Sequence, residues 1–134
     1  MKILPGLMAL TLLTWHGLSM ADAEADLARG EALYQSRCMK CHTISMNDVG
    51  PRHQNVLGRR AGSVADFTYS AALKSSNIVW TEDTLDRWLT NPEALIPGQE
   101  MDVRVRSAPD RRLLIGYLKS QSAPILTPVI TKRP

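Results

Sequence analysis

Aromatic side chains are scarce in this sequence. They make up 5% of its 134 residues, and Phe occurs once. Rings normally carry much of a small core. Either aliphatic side chains fill this one alone, or a bulky prosthetic group stands at its centre, and the composition suits the second arrangement better. Cysteine is also sparse. Cys38 and Cys41 are the only two, which excludes a multi-disulfide scaffold and a four-cysteine zinc site. No strong excess of one charge is present: the net charge is +3 and the basic residues are scattered, too little to argue for a nucleic-acid partner. Charged residues at 22% exclude wholesale disorder. Internal repeats, low-complexity segments and alternating strand patterns are all lacking. The length allows one compact domain plus whatever is removed from its ends.

The first 23 residues read as a targeting segment. Lys2 supplies a positive start, Ile3 to Leu18 form a mostly apolar stretch without a charged side chain, and two small-x-small sites follow at Ser19-Met20-Ala21 and Ala21-Asp22-Ala23. That order matches a secretory signal peptide. The expected cleavage is after Ala23, with Ala21 as second choice, which leaves residues 24–134 exported to an oxidising compartment. The alternative, an uncleaved anchor, is opposed by the short run and its interruption at Pro5, Gly6 and Trp15-His16. Charges interrupt every later apolar stretch, so no membrane span is expected in the mature chain.

The remaining pattern is all-α with long loops. Leu27, Ala28, Leu33 and Tyr34 mark the apolar stripe of a first helix running into Cys38. Gly50-Pro51, Gly58 and Gly62 punctuate a long irregular stretch from Thr43 to about Thr68. A short helix is expected over Tyr69 to Lys74. Thr81 reads as the N-cap of a helix that buries Leu85, Trp88 and Leu89. Asn91-Pro92 ends or restarts that helix, and Pro97-Gly98 forces a turn. Ser107 to Asp110 starts a last helix, with Asp110 at the capping-box position and Leu113, Leu114, Tyr117 and Leu118 as its stripe. Residues 121–134 hold three prolines and read as an extended tail. Loops this long in so small a domain need something to pack on, which again points to a cofactor.

Cys38-Met39-Lys40-Cys41-His42 carries the chemistry. C-x-x-C-H is the attachment pattern of a c-type haem. Two thiols three residues apart can reach the two vinyl groups on one edge of a porphyrin. The next residue then lies beneath the iron, where the His42 ring can ligate it. A thioredoxin-like redox pair would call for a βαβ context. Zinc would need a fourth ligand, available only from His53 or a carboxylate. A disulfide across so small a loop would constrain little.

Methionine is a common second axial ligand in electron-transfer haems. Met39 lies within the attachment segment and Met46 is too close to His42 to cross to the other face easily. Met101 lies beyond two expected helices and follows the turn Ile96-Pro97-Gly98, so it has ample chain to reach the far side. Met101 could also be a buried gap-filler. His53 is the rival ligand, though it reads more simply as an exposed loop histidine.

These residues resemble class I cytochrome c of the mitochondrial and bacterial c2 type over nearly all of the mature chain, with the cytochrome c domain expected over residues 24–120. That family carries its axial methionine on Asn-Pro-x-x-x-Ile-Pro-Gly-x-x-Met, which stands here as Asn91 to Met101. The resemblance implies a small cytochrome c fold, helices and long loops wrapped around one covalently bound haem c. It implies thioethers at Cys38 and Cys41, iron ligation by His42 and Met101, and a Pro51 carbonyl that accepts from the His42 ring. Arg59, Tyr69 and Trp80 resemble the side chains that approach the haem propionates, and Phe67 falls at another matching aromatic position. Gly30 with Tyr34, and Leu114 with Tyr117, match the crossing of the first and last helices.

Departures from the family pattern are also present. Trp88 replaces a tyrosine that bonds the methionine sulfur, and Leu73 replaces a buried asparagine. Gln99-Glu100 replace Thr-Lys, and Val103 replaces an aromatic at the haem edge. A lysine-rich docking ring is missing: Lys40, Lys74, Lys119 and Lys132 stand against eleven arginines after the leader, most of which read as solvated surface. The expected function is a periplasmic one-electron carrier between a redox-protein donor and acceptor, as a monomer or a subunit of a redox complex, and not an enzyme. Two alternatives differ in kind. One is the haem subunit of a periplasmic dehydrogenase, docked through Ile125-Leu126 and Val129-Ile130, although that tail fits packing on its own domain somewhat better. The other is a peroxidase or gas-binding haem, which the complete Met101 loop opposes.

Overall fold

The computed structural model describes residues 20–122. Most of the leader and the tail from 123 onward lie outside them, so the expectations for those segments are not addressed by the fold. Five helices follow in order: α1 (Met20–Arg37), α2 (Ala71–Ser75), α3 (Glu82–Thr90), α4 (Pro92–Leu95) and α5 (Ala108–Ser120). Among the described residues there is no strand. A single antiparallel bridge, Arg60 to Val79, joins two loop segments. No described helix is long and apolar enough to cross a membrane.

The helix ends follow from local chemistry. Thr81 and Thr84 form a reciprocal capping box at the start of α3, each side chain accepting from the other residue's backbone N–H. Asn91 stops α3 in extended geometry, and Pro92 opens α4, where its fixed φ and missing N–H cost nothing. Ser107 caps α5 by accepting from the Asp110 N–H. The Asp110 carboxylate lies 3.6 Å from the Arg37 guanidinium, tying the end of α1 to the start of α5.

Helices α1 and α5 form the main helix–helix contact. Gly30 makes the crossing possible: a methyl group there would overlap the Leu113 carbonyl and crowd Tyr117 Cβ. One turn on, Tyr34 is 1% exposed and packs on Tyr117 with ring centroids 5.2 Å apart. Leu114, Ile115 and Leu118 bury the inner face of α5, and Leu85, Trp88 and Leu89 that of α3. The expected α5 stripe thus gains Ile115. Leu27 and Ala28, expected to be inward-facing, are exposed. All residues of α1 before Gly30 are exposed among those described. Arg111 is not solvated surface either. Its side chain is 11% exposed, and it pairs with Asp86 at 2.7 Å while donating to the Val105 and Arg106 carbonyls.

The long stretch between α1 and α2 is irregular yet closely tied. The His53 and Gln54 amides donate back to the Thr43 and Ile44 carbonyls. Arg52 holds the Asp66 carboxylate through both oxygens, at 2.7 and 2.9 Å. Gly62 adopts φ 68°, a backbone conformation open mainly to glycine, and there it lies against the Leu73 carbonyl.

Candidate haem-binding site

The attachment motif continues the winding of α1. The Cys38 N–H donates to the Tyr34 carbonyl at 2.8 Å, and the Cys41 and His42 amides both donate to the Cys38 carbonyl. This turn brings two thiols three residues apart to one side, with His42 beside them. Both cysteines are half-buried and neither is disulfide-bonded. Burial pushes the Cys38 thiol up to about 11, the opposite of the lowered value a dithiol redox centre needs. Among the described residues no group of three or more His, Cys, Asp or Glu side chains assembles to hold a metal ion.

His42 is fixed by its neighbours. Its Nδ1 lies 2.8 Å from the Pro51 carbonyl oxygen. A carbonyl only accepts, so Nδ1 carries the hydrogen and Nε2 keeps its lone pair. Burial lowers the pKa of the ring from its ordinary value, against the Pro51 bond and the Asp48 charge, which raise it. A neutral imidazole with one free nitrogen is the form that ligates a metal. Gly50 completes the seat, since a methyl group on it would overlap the His42 ring.

These side chains open onto a cavity of about 440 Å³. Cys38, Cys41, His42, Pro51, Arg59, Tyr69, Trp80 and Met101, all singled out from sequence, line it together. Its remaining wall is largely apolar, with Leu73, Leu85, Trp88, Leu89, Leu114 and Leu118. Arg59 donates to the Gln54 and Arg52 carbonyls at 3.0 and 2.9 Å. Burial lowers its pKa, but a guanidinium stays charged even so. Tyr69 packs edge-on against Phe67 at 4.8 Å, and Trp80 against Trp88 at 5.2 Å.

Met101 reaches the cavity on a braced segment. Ile96 is buried beneath it, and the Ile96 N–H donates to the Pro92 carbonyl at 2.9 Å. The Glu93 carboxylate accepts from the Gly98 N–H at 3.0 and 3.2 Å. The Gln99 side-chain oxygen accepts from the Met101 N–H. Glu93 was not singled out in the sequence; its position in the first turn of α4, shortly before Gly98, is the available signal.

His53 is not the exposed loop histidine expected of it. Its ring lies face to face with that of His42, at 4.1 Å between centroids and 20° between planes. Burial, reinforced by His42 and Arg59, pushes its pKa down to about 3.

The residues present fit a haem: apolar walls, two thiols beside a neutral imidazole, a thioether, and a glycine where a Cβ would displace the imidazole. The family model described as cytochrome c matches residues 27–122.

The chain belongs to the cytochrome c family.

It is 39% identical to cytochrome c 2.1 of Caenorhabditis elegans over 108 residues, covering 78% of this chain and 97% of the relative. It is 37% identical to cytochrome c2 of Rhodomicrobium vannielii over 125 residues, covering 90% and 98%. Its structure is similar to that of cytochrome cH from Methylobacterium extorquens, with a TM-score of 0.66 and 37% identity over 71% of this chain and 98% of the other. A family cytochrome c carries covalently bound haem c. This member is a monohaem electron-transfer protein and not an enzyme. Its helices and long loops form the small cytochrome c fold.

Proposed function

We propose that this cytochrome c is a periplasmic electron carrier whose haem is joined through thioethers to Cys38 and Cys41 and ligated by His42 and Met101. The observation that carries the reading is the convergence of both thiols, the free Nε2 of His42 and the Met101 side chain on one largely apolar cavity. When bound, the haem iron takes up and releases one electron. The chain's own residues hold it in place. The Pro51 carbonyl orients the His42 ring and raises its basicity. The Glu93–Gly98 contact stiffens the approach of Met101. Arg59 offers fixed positive charge to the propionates, with Tyr69 and Trp80 beside the same cavity. The apolar walls exclude water, which keeps reorganisation small as charge changes.

Periplasmic placement rests on the leader over residues 1–23 and agrees with the likeness to a bacterial cytochrome c2. The partners are a redox-protein donor and acceptor. Acid–acetone extraction tests the attachment: the colour stays with the protein. Potentiometric titration of the same preparation gives one reversible one-electron wave. Colour that extracts would contradict the thioethers, and more than one wave would contradict the single haem.

A further inference from the structure

His53 follows Pro51 by two residues, and its backbone N–H donates to the Thr43 carbonyl at 2.9 Å. That bond returns the chain beneath the attachment turn and lays the His53 ring flat against His42, at 4.1 Å between centroids. On its other side, His53 Nδ1 is hydrogen-bonded to the Tyr34 hydroxyl at 3.1 Å. Tyr34 is itself held. It is buried at the crossing of α1 and α5 and packed on Tyr117. A line of contact therefore runs from the helix crossing through Tyr34 and His53 to His42.

The Pro51 bond alone does not fix the plane of His42. One hydrogen bond to one ring atom restrains that atom but leaves the ring able to tilt about the Nδ1···O direction. A flat surface against the ring face removes that freedom. We propose that His53 is a positioning residue for His42, held by the Tyr34 hydroxyl so that its ring sets the plane of the axial imidazole. The inference rests on His42 being an axial ligand. The plane of an axial imidazole decides which iron d orbitals its π electrons meet, so it governs both the anisotropy of the ferric centre and the balance between ferric and ferrous states.

The test uses holoprotein throughout and compares wild type with Tyr34→Phe, His53→Leu, His53→Phe and the Tyr34→Phe/His53→Leu double variant. Readouts are the ferric low-spin electron paramagnetic resonance g values, the reduction potential and the melting temperature. His53→Leu should shift the g values and the potential while the absorption spectrum stays low-spin. Tyr34→Phe, which removes one oxygen and keeps the ring, should shift both in the same direction by less. His53→Phe keeps a flat ring but no bond to Tyr34 and should fall between wild type and His53→Leu. The double variant should go no further than His53→Leu, since the two residues act through one contact. If His53→Leu fails to accumulate, Tyr34→Phe still decides the matter. Variants that lower the melting temperature while g values and potential stay at wild-type values would overturn the proposal and leave His53 as packing. A wild-type protein lacking low-spin nitrogen ligation would instead overturn the ligand assignment, and the positioning role with it.

Discussion

The carbonyl oxygen of Pro51 and Nδ1 of His42 stand 2.8 Å apart. The proline ring fixes φ, one of the two backbone torsions that place this carbonyl. Gly50, directly before it, lies so close to the imidazole that even a methyl group would overlap the ring.

Gly50→Ala should disturb that arrangement. The added methyl group overlaps the His42 ring, so either the ring leaves its place or the Gly50-Pro51 backbone moves away with its carbonyl. The expected result is a large loss of holoprotein with a wild-type low-spin spectrum, measured as the ratio of Soret absorbance to protein. A wild-type ratio and spectrum would show that His42 is not seated as described.

Two glycines near the α1–α5 crossing should respond with opposite signs. Gly30 has no room for a methyl group, so Gly30→Ala should cost about 1–3 kcal/mol through overpacking. Gly116 meets nothing within 4 Å and lies inside α5, so Gly116→Ala should stabilise by up to about 1 kcal/mol through helix propensity. Chemical denaturation of the two holoproteins measures both. Equal effects would contradict the crossing geometry.

Stability should carry an alkaline limb from Tyr34. Burial raises its pKa well above the ordinary 10.0. Above that value the unfolded chain has lost the phenolic proton and the native chain still holds it, so unfolded protein binds fewer protons and stability falls as pH rises. The difference in unfolding free energy between wild type and Tyr34→Phe should be flat at neutral pH and shrink above the ordinary tyrosine value. A difference that stays flat there would show that Tyr34 titrates as a solvated phenol.

The mature chain should begin at Glu24. Of the residues before it, those described, Met20 to Ala23, are exposed positions of α1, and the first buried one in that helix is Gly30. N-terminal sequencing of protein recovered from the periplasm of its native host, or of a bacterial host with a haem-ligation system, measures this. A chain that begins at Met1 would support a retained anchor.

Local rules made much of this structure legible. Thr81, Ser107 and Pro92 act on backbone groups within a few residues, so their caps and restarts can be read directly from the chain. Cys38, Cys41 and His42 were legible from the spacing of the attachment motif and Met101 from the chain available to reach the far side, whereas Pro51, Arg59, Tyr69 and Trp80 came only from the resemblance to the family. What escaped was non-local. Nothing in the chain announces that Tyr34 reaches His53, or that Arg111 reaches Asp86. Periodicity also misplaced Leu27, which is exposed: a stripe shows which residues share a face but not which of them are covered.

The most direct test of the account is the near-infrared absorption of the ferric holoprotein. Sulfur ligation of ferric haem gives a weak charge-transfer band in that region. The wild type should show it, and Met101→Ala should abolish it, lower the reduction potential and open the iron to carbon monoxide in the ferrous state, since a thioether favours ferrous iron. His53→Ala should leave the band in place. If the band is absent from the wild type, or survives Met101→Ala, then Met101 is not the ligand and the central claim fails.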